Sequence, residues 1–227
     1  MMRLSFPWLL CLPLLWLGTT VDVGVARAQS AASPTGEDFG VANSEWNGIS
    51  ELLRGFQVRG VEVVLESPNL ANLGVDQPLW VINPQEPLPI SDLVLWMTAG
   101  GTLLLADDFG EGEGLFNELG LMRIETPVTH NQYFRDNPSL PVFQTSEQTS
   151  GVAPIVRGEP VVVANHPAAL IDRTSGASPT IPFANGTAGL IFEVPVGQGR
   201  LIAVSDPSLF INLMMQFPGN RTLANNL

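Results

Sequence analysis

The chain has 227 residues, 45% of them hydrophobic and 14% charged. That is enough apolar content to bury a sizeable core and too little charge for a disordered acidic tail. Its 22 acids stand against 10 arginines and no lysine, a formal charge of −12, which excludes phosphate neutralisation along a nucleic acid and electrostatic docking on anionic lipid, since both need clustered cations.

The first 28 residues read as a secretory signal peptide. Arg3 supplies the positive n-region, residues 6–17 (FPWLLCLPLLWL) are the apolar h-region, and Ala26-Arg27-Ala28 is a small-x-small cleavage pattern. The apolar run is short for a membrane span and is interrupted by Pro7 and Pro13. Cleavage before Gln29 predicts an exported protein of the periplasm or cell envelope. Cys11 is the only cysteine, so the mature chain would have no disulfide, no thiolate nucleophile and no cysteine metal site. Residues 29–42 begin small, polar and proline-containing and read as a flexible linker; a single domain follows over 43–227.

In that domain Ile49, Leu52, Leu53 and Phe56 share one helical face, with Ser44 or Asn47 as candidate caps and Gly60 as the stop. Residues 61–66 (VEVVLE) and 79–82 (LWVI) read as strands. A helix is expected over about 90–99, ended by Gly100-Gly101, and an apolar strand over 102–106. A short helix through Leu115, Phe116 and Leu119 follows. From Met122 to Ser150 the periodicity fades into a long irregular excursion, and 160–164 (PVVVA) reads as another buried strand. Residues 174–187 look loop-like. The runs 188–194 and 200–204 form a hairpin across Gly197-Gln198-Gly199, and helices are expected through Leu209, Phe210, Leu213 and Met214 and again from Gly219. The last pattern reaches Leu227 without a C-cap, as if the chain continued. The alternation of helix and strand predicts an α/β layer with parallel strands.

Three segments resemble the bacterial domain-of-unknown-function 4350 family: Gly100-Gly101-Thr102-Leu103-Leu104-Leu105-Ala106-Asp107-Asp108-Phe109-Gly110, the Asn43-Ser44 opening, and the run from Gly199 through Ser205-Asp206-Pro207-Ser208 to Phe210. The ending Gly219-Asn220-Arg221 with Ala224-Asn225-Asn226-Leu227 is similar too. The resemblance implies a mostly parallel flavodoxin/amidotransferase-like three-layer sandwich with a C-terminal β-hairpin, in exported or membrane-associated proteins. It leaves membrane association through a region beyond Leu227 open. The amidotransferases use a cysteine nucleophile with a histidine partner, and the mature chain has no such cysteine.

Asp107 and Asp108 end the central strand, where ligands of open α/β sheets sit. Their carboxylates suit a ligand or a hard cation, but a turn or helix cap, where aspartates are common, is the favoured reading. Asp206 ends a second strand in the same sense; if the two strands are parallel neighbours, Asp206 and Asp107 converge on one crevice, and otherwise Asp206 with Pro207 simply starts a helix. His166 follows the Val161-Val162-Val163 run and is a candidate base, but no Gly-x-Ser-x-Gly elbow supplies a nucleophile. Asn43, Ser44 and Trp46 either face the crevice as an amide, a hydroxyl and a stacking platform, or cap and staple the first helix. Glutamates alternate with glycines in 110–114, which disfavours a phosphate loop. No cofactor and no resident metal are expected. The expectation is a non-catalytic binding or scaffold domain that meets an envelope protein or a small ligand. The alternatives are a hydrolase built on Asp107, Asp108, Asp206 and His166, and a Ca²⁺-dependent interaction domain.

Overall fold

The computed structural model describes residues 2–5, 37–65, 69–124, 129–146 and 154–227. In chain order the elements are β1 (Met2–Ser5), α1 (Ser50–Val58), β2 (Val63–Val64), β3 (Leu79–Ile82), α2 (Ile90–Thr98), β4 (Thr102–Ala106), α3 (Glu113–Glu118), β5 (Leu121–Ile124), β6 (Val142–Gln144), β7 (Val161–Val163), β8 (Ala169–Asp172), β9 (Pro179–Pro182), β10 (Ala188–Val196), β11 (Gly199–Val204) and α4 (Pro218–Asn226). Nine strands form one mixed sheet in the order β2-β1-β3-β4-β11-β10-β8-β5, with β9 also paired to β10. The half from β2 to β11 is parallel, and from β11 onward every neighbour is antiparallel.

The apolar run of β4 becomes the central strand because it is covered on both faces, and its alternate residues feed two separate cores. Leu104 and Ala106 join one with Ile202, Val204, Phe56 of α1 and Leu223 of α4. Leu103 and Leu105 join the other with Leu201, Ala203, Trp96 of α2 and Phe116 of α3. Burying one such leucine stabilises by about 1.5–3 kcal/mol. Gly101 lets α2 close onto the sheet, since a Cβ there would lie 2.5 Å from the Trp96 ring.

Several expectations change. Met2–Ser5 is a strand inside the sheet, whereas the leader was expected to stand apart from the fold; its apolar run and cleavage site lie outside the described residues. The 160–164 run does form a strand, but β7 stands outside the central sheet, pairing antiparallel with β6 in a small second sheet whose Phe143 and Val162 pack into the first core. The excursion after Met122 and the loop after Thr174 contain β5, β6 and β9, strands three or four residues long that carry too few alternations to read. The helix expected through 209–214 is two 3₁₀ turns, Pro207–Phe210 and Met214–Gln216, because Ile211 between them is extended (ψ 156°). No helix among the described residues is long and apolar enough to cross a membrane.

Candidate functional site

β4 and β11 are parallel neighbours, with Ala106 opposite Val204, so Asp107 and Asp206 both leave the sheet at its carboxyl edge. They do not meet. Side chains alternate across a strand, so Asp107 continues the Leu103–Leu105 face, while Asp206 continues the Ile202–Val204 face together with Asp108.

Asp107 is fully buried. Its Oδ1 accepts from the Gly110 amide at 2.7 Å, and its Oδ2 accepts from the Gly112 amide and an Arg123 guanidinium N–H, both at 2.8 Å. Arg123, on β5, has only 6% of its side chain exposed and also donates to the Gly110 carbonyl and to Glu113. Burial pushes the Asp107 carboxyl upward, opposed by the Arg123 charge and the two amides. Gly110 and Gly112 are required by this wrapping: a Cβ on Gly112 would stand 2.7 Å from Asp107 Oδ2, and one on Gly110 2.4 Å from the Pro84 carbonyl.

On the other face Asp206, also fully buried, accepts from the Asn165 amide at 2.7 Å, the Ser208 amide at 2.9 Å and the Ser208 hydroxyl. It is the N-cap of the first 3₁₀ turn, with Pro207 at the first position, as the capping alternative expected. Burial pushes it up to about 7, the neighbouring Asp108 charge adds to that, and the bonds from Ser208 and Asn165 oppose it. Asp108 is half-buried and accepts from the Phe109 amide at 2.8 Å. Desolvation pushes it up to about 6, with Asp107 adding repulsion. His166 is exposed in the left-handed region (φ 53°), with its Nδ1 3.1 Å from Asn165 Oδ1, beside the Asp206-bound turn.

Asn43 is buried and fully used: its amide donates to the Glu37 carbonyl and Asn47 Oδ1, and its Oδ1 accepts from the Glu45 amide. Ser44 is exposed, and Trp46 is 60% exposed rather than packed as a staple. Neither Ser44 nor Asn47 caps α1, whose N-cap, Ile49, has no capping side chain. Asn212 does that work from far along the chain: its Oδ1 accepts from the Glu51 amide at 2.8 Å and its Nδ2 donates to the Asn43 and Glu45 carbonyls. No group of three or more metal-holding side chains occurs among the described residues. A concavity of about 570 Å³, lined by Leu70, Leu73, Val75, Leu95 and Trp96 among others, runs along α2 and contains none of the candidate site residues.

Residues 41–227 match the model of the family described as Domain of unknown function (DUF4350). The chain belongs to that family. No curated protein matches it. Among solved structures it is similar to the mmIFT52 N-terminal domain, at 14% identity and a TM-score of 0.60 over 80% of this chain and 89% of that one. It is less similar to the exo-β-1,4-mannosidase Op5Man5 from Opitutaceae bacterium strain TAV5 (15% identity, TM-score 0.47, 99% of this chain and 34% of that one). The same holds for the cytoplasmic protein STM3548 from Salmonella typhimurium (14%, 0.49, 79% and 85%). The first likeness shows the fold alone, and the other two carry no argument. The chain spans about a third of the mannosidase.

At the carboxyl edge of the DUF4350 sheet, then, one carboxylate is locked in an ion pair and another in a cap, while half-buried Asp108, exposed Phe109 and exposed His166 face outward. Arg123 and Asn212 were missed in the sequence. An arginine on a short strand and an asparagine in a loop have no pattern of their own, and only contact with Asp107 and with α1 reveals their roles.

Proposed function

We propose that this DUF4350 domain is exported and acts at the bacterial cell envelope by binding rather than by catalysis, on a three-layer, amidotransferase-like architecture without the amidotransferase cysteine. The observation that carries the reading is the use made of the two buried strand-end carboxylates. Asp107 and Asp206 each accept three hydrogen bonds from their own chain, which leaves little lone-pair capacity for a reacting group. Helices contributing to both cores support the three-layer arrangement. The groups left to meet a small ligand or an envelope protein are Asp108, Phe109 and His166, with Trp46 at the α1 entry.

The test is retention of envelope components on the purified domain. A component held by the unchanged protein and lost in Asp108→Asn/His166→Ala, with a urea midpoint that is not lowered, supports binding at this edge. Retention unaffected by these changes or by Trp46→Ala removes the edge from consideration.

The second reading, an envelope hydrolase, is favoured by one observation: on the same face of the sheet edge burial raises Asp108 to about 6 and Asp206 to about 7, the latter also under the Asp108 charge, a separation that lets one carboxyl donate while the other accepts. Turnover of chromogenic ester or glycoside substrates that Asp206→Asn abolishes in a folded protein would establish it.

A further inference from the structure

β1 is the element the binding reading leaves unexplained. It lies inside the sheet, pairing in parallel with β2 through Met2–Val63 and Arg3–Val64, and with β3 through Arg3–Leu79, Leu4–Trp80 and Ser5–Val81. β2 has no other strand partner among the described residues. Yet Met2–Ser5 belongs to the leader whose removal the sequence predicts. Without it, β3 would keep four buried residues and a row of unpaired N–H and C=O groups along one edge. Buried groups left without partners are costly, so such an edge favours a replacement strand.

We propose that leader removal lets the β2 segment take the position of β1 and pair directly, in parallel, with β3. The inference rests on the proposed export. Val64 and Leu79 are both registered to Arg3 and so already stand level. A sideways move of one strand spacing, about 4.8 Å, places them opposite each other with no slip along the strand. The faces agree as well. Val61 and Val63 pack on the core that holds Trp80 and Ile82, which by alternation puts Val64 on the face of Leu79 and Val81. A slip of one residue would turn Val63 away from its core. Gly60, at φ +72° with open space around its Cα, is the joint between α1 and the moving segment. The move also accounts for a mismatch: 61–66 reads as a six-residue strand, whereas among the described residues 61–65 only Val63–Val64 pair while β1 is in place.

The test uses the full chain carrying Val64→Cys and Leu79→Cys, expressed with its leader in an exporting bacterial host, and in parallel the unsubstituted chain. Mass spectrometry reads the N-terminus, and thiol titration reads the cross-link. Across β1 the two positions are two strand spacings apart, about 9.6 Å, beyond the roughly 7 Å between Cα atoms that a disulfide spans. The expected result is a disulfide in chains beginning near Gln29 and free thiols in chains that retain residues 2–5. Hydrogen exchange on the unsubstituted, leader-free protein is the deciding second measurement, with the amides at 63–65 and 79–82 both slowed about a hundredfold or more relative to unstructured chain. Fast exchange at 63–65 in leader-free chains overturns the replacement while leaving export intact. An exported product that keeps residues 2–5 overturns leader removal, and the replacement with it, while a chain that never leaves the cytoplasm overturns the proposed export.

Discussion

Asp107 and Asp206 are both buried carboxylates, but they are stabilised in different ways. Asp107 faces a full positive charge, so the pair is held by ionisation, and removing Arg123 strands a buried anion. Arg123→Met is expected to cost about 3–5 kcal/mol, read as a lowered urea midpoint at pH 7, with part of the loss recovered when Asp107→Asn is added. A double variant no more stable than Arg123→Met alone would show that packing, not charge, sets the cost. Asp206 has no cation beside it, only the dipoles of the Ser208 and Asn165 amides and the Ser208 hydroxyl, with the Asp108 carboxylate nearby. Its carboxyl is therefore held closer to the neutral form, and Asp206→Asn, which keeps one acceptor oxygen, is expected to be milder than Asp206→Ala. The alanine variant loses the cap and leaves two amides unpaired, at roughly 2–4 kcal/mol; midpoints for the two variants decide the order.

Among the elements, α1 and α2 depend on contacts that cross the chain. The first turn of α1 is satisfied by Asn212, which also ties down the Asn43 and Glu45 carbonyls. Asn212→Ala is expected to destabilise by roughly 2–3 kcal/mol, a lost cap plus buried carbonyls without donors, and to speed exchange of the Glu51 amide before that of the β4 amides. Uniform exchange across both would mean α1 unfolds only with the whole domain. Just past the C-terminal end of α2, Gly101→Ala drives a methyl into the Trp96 ring, an overpacking expected to cost about 1–3 kcal/mol and to shift Trp fluorescence. α4 docks similarly: Asn220 bonds both the N–H and the C=O of Val163, acting as one more rung for β7.

At the scale of the whole molecule, burial of acids sets the response to pH. Asp108 and Asp206 titrate near 6 and 7 in the fold, against about 3.9 for an unfolded aspartate. Between about pH 4 and about 7 the folded chain therefore holds more protons than the unfolded one, so these groups make stability fall as pH rises through that window and level off above it. The urea midpoint is expected to be higher at pH 5 than at pH 8, and the difference to shrink in Asp206→Asn. An undiminished difference in that variant would exclude Asp206 as its source.

What the sequence determined by itself is whatever rests on local pattern. The central strand was legible to the residue because five consecutive small or apolar residues between glycines and acids have one good solution, burial on both faces. The hairpin at Gly197, the helices α1, α2 and α4, the cap at Asp206 and membership of the DUF4350 family were legible for the same reason. Tertiary structure alone decided which carboxylate faces which core, since that depends on strand alternation carried past the strand end into the turns. It also decided that Arg123 and Asn212 reach Asp107 and α1, that β7 leaves the main sheet, and that the four residues of β1 stand between β2 and β3. Each of these is a pairing between distant segments, and such pairings are selected by the surface they bury and the polar groups they satisfy, which no local window of sequence contains.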